Sequence, residues 1–93
     1  MQLAKDFRVK EIIFSSHAEN KFALLKRHGF HISRDAILLA LEEPDKIEHG
    51  YKDRKISQKV IDESHVIRVV FEEQHDTLRV ITFYPGRRVR YEG

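Results

Sequence analysis

The chain has 93 residues, no cysteine, and 17 lysines and arginines against 15 acids, for a formal charge of +2. That length supports one core and one domain over 1–93, and the missing thiols exclude disulfides, thiolate catalysis and a cysteine-based zinc site. No run of ~18 apolar residues and no apolar leader with a small-residue cleavage site is present, so neither a membrane span nor a secretory signal is expected and a cytoplasmic protein is the default.

Residues 1–10 carry no clean period and read as a frayed start or as part of a short strand with Glu11 to Phe14. Ser16 followed by Glu19 has the spacing of a capping box and predicts a helix start. Ala18, Phe22 and Leu25 follow at i, i+4 and i+7 as its buried stripe, and Gly29 supplies a left-handed stop. A second helix is expected from Ser33, with Asp35 in its first turn, Ala36, Ile37, Ala40 and Leu41 as its apolar stripe, and Pro44 ending it. Asp45 to Asp53 is polar and reads as the crossing into a sheet.

The period then changes to two. Ile56 and Val60 alternate with Lys55, Ser57 and Lys59, as in a strand with one wet face. His65 to Glu72 and Thr77 to Tyr84 are β-branched and aromatic, which marks them as the central strands. Asp62 to Ser64 and Glu73 to Asp76 are short enough to be hairpin turns, so these strands must be antiparallel. The predicted class is α+β: two N-terminal helices packed on a twisted antiparallel sheet of 3–4 strands.

Two groups of residues could carry chemistry. On the polar flank of the first helix, His17, Lys21 and His28 fall at i, i+4 and i+11 and can face one ligand. An imidazole can take a proton near neutral pH and a lysine can steady a phosphate, which suits RNA cleavage without a metal. At the chain's other end, Arg79 to Gly93 holds four arginines and one acid. There Arg87, Arg88 and Arg90 could hold phosphates while Tyr84 or Tyr91 stacks on a base. His17, His28 and His31 lack a carboxylate at a recognised ligand spacing, so neither a metal nor another cofactor is expected. Ser15, Ser16 and Ser33 suit caps better than nucleophiles, as no nucleophile-elbow motif surrounds them.

The segments FSSHAENKF, KRHGFHISRDAILLALEEPDKI and VITFYPGRRVRY, in that order, resemble small prokaryotic domains with a Ser-x-His-Ala helix start and a Thr-x-Tyr-Pro strand end. These domains are grouped with the RelE, ParE and BrnT toxin superfamily, and the likeness covers residues 12–91. The resemblance implies a RelE-like architecture and, as in many of those relatives, metal-independent RNA cleavage that leaves a cyclic phosphate. The first motif falls on Ser15, His17 and Ala18 and the second on Thr82, Tyr84 and Pro85, while Lys21 stands where many relatives have arginine. The catalytic set implied is His17, Lys21 and Tyr84, with His28, Arg87, Arg88, Arg90 and Tyr91 on RNA. Expected partners are RNA and an antitoxin protein, and an exposed sheet edge could equally take a second copy of the chain. A non-catalytic RNA- or protein-binding module is the alternative.

Overall fold

The computed structural model describes residues 10–92. Their order is β1 (Glu11–Phe14), α1 (Ser16–Arg27), α2 (Arg34–Glu42), β2 (Lys46–His49), a single 3-10 turn (Tyr51–Asp53), β3 (Lys55–Val60), β4 (His65–Glu73), β5 (Thr77–Arg87) and α3 (Arg88–Glu92). The class is α+β, as the sequence predicts. The five strands form one sheet in the order β1-β5-β4-β3-β2. The frayed start expected for residues 1–10 falls, apart from Lys10, outside the described residues.

Both helices form where their caps place them, with one shift. The N-cap of α1 is Ser15, not Ser16: Ser15 Oγ accepts the Ala18 N–H at 3.0 Å and donates to the Ile81 carbonyl at 2.7 Å. Glu19 does not close a capping box; its carboxylate binds Arg34 at 2.7 Å, tying α1 to the start of α2. Gly29, at φ 91°, ends α1 through a backbone bond from Phe30 N–H to the Leu25 carbonyl. Ser33 caps α2, which stops at Glu42 before Pro44. Because Ser15 acts as both cap and clip to β5, Ser15→Ala is expected to lose about 1–2 kcal/mol. Ser16→Ala, on an exposed side chain, should change stability by less than ~0.5 kcal/mol. Urea unfolding of the two variants checks this, and equal losses would contradict the assignment.

The sheet corrects the predicted 3–4 antiparallel strands. It is mixed, because β1 pairs in parallel with β5, Glu11 opposite Thr77 through Phe14 opposite Val80. It also gains β2 from the polar crossing, paired antiparallel to β3. An edge strand with exposed faces needs no apolar alternation, so Lys46-Ile47-Glu48-His49 gave no strand signal. The expected basic tail is likewise a continuation of β5 followed by the short helix α3.

The core lies between the helices and one sheet face. Ala18, Leu25, Ile37, Ala40 and Leu41 from the helices meet Ile67, Val69, Phe71, Leu78, Val80 and Phe83 from β4 and β5. A bulge decides which β5 residues face it. Val70 pairs with Thr82 but Phe71 pairs with Val80, leaving Ile81 as the extra residue and inverting the alternation. Leu78 and Val80 before the bulge and Phe83 after it therefore share the helix-covered face. Tyr84, opposite Arg68, turns to the other face. On β3 the buried residues are Ser57 and Gln58, while Ile56 and Val60 are half-buried. The sheet is covered on both sides here, so β3 has no wholly wet face.

Candidate functional site

His17 stands in the first turn of α1, exposed and without a hydrogen-bond partner among the described residues. One turn on, the half-buried Lys21 brings Nζ to 3.5 Å from Thr82 Oγ1. With the Ser15–Ile81 bond, this contact docks the start of α1 on β5 just past the bulge, joining segments 61 and 66 positions apart. β1 stops opposite Val80, so β5 beyond it has a free edge on that side among the described residues. Pro85 lies in this stretch; it has no N–H to offer an added strand, which guards the edge.

His28 is the C-cap residue of α1 and is exposed. Eleven residues at 1.5 Å rise put it about 16 Å along the axis from His17. The structure therefore joins Lys21 to the β5 motif and sets His28 at the far end of the helix.

The C-terminal candidates form a second group. Arg87, Arg90 and Tyr91 line a cleft of about 490 Å³ between the end of β5 and α3, with Pro85, Gly86 and Val89. Arg87 and Arg90 are exposed, with donors available to an anion. Arg88 is committed: its guanidinium binds Glu92 at 2.9 Å and its N–H binds the Ser64 carbonyl at 2.8 Å, anchoring α3 to the β3–β4 turn. Tyr91 turns inward, its ring 4.3 Å from the Arg68 guanidinium carbon. Gly86 permits this, since a Cβ there would come 2.3 Å from the Tyr91 ring. A separate cleft of about 440 Å³, lined by residues including Phe30, Ile32, Leu39 and Ile61, contains none of these candidates.

Arg68 is the residue that sequence reasoning missed. It is 5% exposed on the face opposite α1 and α2. It donates from Nε to the Tyr84 hydroxyl at 3.1 Å, from Nη2 to Glu48 at 2.9 Å and from Nη1 to Gln58 Oε1. Lys46 completes the cluster, 3.2 Å from Glu48 and 2.9 Å from the Tyr91 carbonyl. Burial works against the charge on Arg68, but hydrogen bonds to Glu48 and Tyr84 outweigh it and hold its pKa above the usual value. A signal was present: Val66 and Val70 share the alternation of Arg68 and flank it, which marks a covered face where an arginine needs partners.

Hydrogen bonds from Arg68 and then Lys46 pull Glu48 below its ordinary 4.5. Because the folded value is the lower one, this contribution is full above about pH 4.5 and is lost as pH falls through the folded value. Stability should therefore drop more steeply below pH 4.5 in the parent than in Glu48→Gln, read as urea midpoints against pH. Parallel curves would contradict it.

Among the described residues no group of three or more histidines or acids is placed to hold a metal ion. No helix there is long and apolar enough to cross a membrane. The arrangement can receive a proton at His17, neutralise a phosphate at Lys21, Arg87 and Arg90, and donate from Tyr84, whose oxygen already accepts from Arg68 while its O–H stays free to donate. Comparison with family models, curated proteins and solved structures finds no match to this chain.

Proposed function

We propose that the protein is a metal-independent endoribonuclease of the toxin type, acting where α1 meets the free edge of β5. The observation that carries this reading is the docking of the His17–Lys21 turn onto Thr82, two residues from Tyr84. His17 takes the proton of a 2′-hydroxyl, whose oxygen attacks the adjacent phosphorus. The bond from phosphorus to the 5′-oxygen breaks, and that oxygen receives its proton from Tyr84. The products are a 2′,3′-cyclic phosphate and a 5′-hydroxyl. Lys21 offsets charge on the pentacovalent phosphate, while Arg87 and Arg90 hold the neighbouring phosphates. The reading implies a cytoplasmic setting and an inhibitory antitoxin that orders on binding.

A second reading, RNA binding without cleavage, is favoured by a different observation. α1 and the Tyr84 side chain lie on opposite faces of β5, so His17 and Tyr84 can share a substrate only around its free edge. Incubating pure protein with end-labelled single-stranded RNA in excess chelator separates the two. Fragments with cyclic-phosphate ends support the ribonuclease; intact RNA that shifts in a salt-sensitive band supports binding alone.

A further inference from the structure

We infer that Arg68 is the positioning residue for Tyr84, holding its phenol at the reacting end of β5 with the O–H turned outward to donate. The inference rests on the ribonuclease reading for its kinetic consequence, but the contact itself stands on geometry. A half-buried tyrosine on a strand can still keep its ring free to swing. Here the phenol oxygen is fixed by Arg68 Nε at 3.1 Å, so the oxygen serves as acceptor and its proton is left to donate elsewhere. Arg68 is itself fixed on three sides. Glu48 and Gln58 hold its two terminal nitrogens, and the Tyr91 ring covers the guanidinium plane. Gln58 is 3% exposed and Arg68 5%, so the bond between them is shielded from competing water. Lysine at this position would keep the charge but lose the fork that serves Tyr84, Gln58 and Glu48 together.

Placed beneath a tyrosine within a sheet, Arg68 acts through Tyr84 and not on RNA, and a double-mutant cycle reads that distinction directly. Tyr84→Phe and Arg68→Gln are each expected to lower kcat by about 10²-fold, with KM little changed. The double variant should be no slower than Tyr84→Phe, and Arg68→Lys should recover only part of the loss. Multiplicative losses, or a loss confined to KM, would overturn the inference, because Arg68 would then act on substrate independently of Tyr84. Should Arg68→Gln fail to fold, Glu48→Gln removes the outer anchor at a half-exposed side chain that touches Arg68 and not Tyr84. A smaller fall in kcat at unchanged KM is expected there, and an unchanged kcat would overturn the inference.

A readout without RNA separates this inference from the ribonuclease reading. In protein carrying ring-labelled tyrosine, the Tyr84 Cζ resonance is identified by its loss in Tyr84→Phe. It should move toward that of the exposed Tyr51 in Arg68→Gln, or in Glu48→Gln where the first variant does not fold. A Tyr84 resonance unmoved in a folded variant overturns the positioning role even if RNA is cut; a moved resonance with uncut RNA keeps the contact and removes only its catalytic consequence.

Discussion

Replacing His17 with alanine is expected to lower RNA cleavage by about 10²–10⁴-fold, the usual worth of a positioned general base, while folding stability changes by less than ~0.5 kcal/mol. The two halves of this expectation come from the same fact. His17 is exposed and has no hydrogen-bond partner among the described residues, so its removal leaves no buried group unpaired. The small residues around it carry the structure instead: Ser15 caps the helix and clips β5, and Ala18 is wholly buried in the core. Activity and melting temperature measured on one preparation check the pair. If His17→Ala melted well below the parent, a structural role would replace the catalytic one; if it cut RNA at the parent rate, the base would be elsewhere.

The largest effect on stability is expected at Phe83. Its side chain is wholly buried, and its ring lies 4.7 Å from that of Phe22, which in turn is 5.9 Å from Phe14. Phe83 thus joins β5 to α1 at the residue next to Thr82, which Lys21 contacts. Truncation to alanine removes the ring and leaves a cavity that the surrounding β4 and β5 side chains cannot collapse to fill, at a cost of about 3–5 kcal/mol. That is a large share of the ~5–15 kcal/mol typical of a folded domain, so Phe83→Ala should unfold at markedly lower urea than the parent. Phe83→Leu, closer in volume, should lose much less. Similar urea midpoints for the two variants would show that the site tolerates the void.

The parts of the fold legible in the sequence were those that local chemistry specifies. Ser33 and Pro44 bound α2, Gly29 ends α1, and the β-branched runs of β4 and β5 could bury both faces only as central strands. The parts that were not legible depend on partners distant in sequence. Glu11–Phe14, which the sequence left open as a short strand, is one because β5 offers it an edge; Lys46–His49, which it read as a crossing, is a strand because β3 does. The basic segment from Arg87 reads as a tail until Arg88 N–H finds the Ser64 carbonyl and Tyr91 finds Arg68. The same applies to the candidate site. The Ser-x-His-Ala and Thr-x-Tyr-Pro segments could be singled out from the sequence, but not the bulge at Ile81 that sends Tyr84 to the face opposite α1. Arg68 escaped notice because an isolated arginine in an alternating strand reads as a wet position, and only Val66 and Val70 beside it argue otherwise.

The mechanism stands or falls on the attacking group. Once the cleaved linkage in a labelled oligonucleotide is mapped in chelator, the same oligonucleotide should be assayed with a single 2′-deoxy nucleotide on the 5′ side of that linkage. The account predicts equal binding and no cut at that position, because His17 has no 2′-hydroxyl to deprotonate; cleavage there at the parent rate would contradict it.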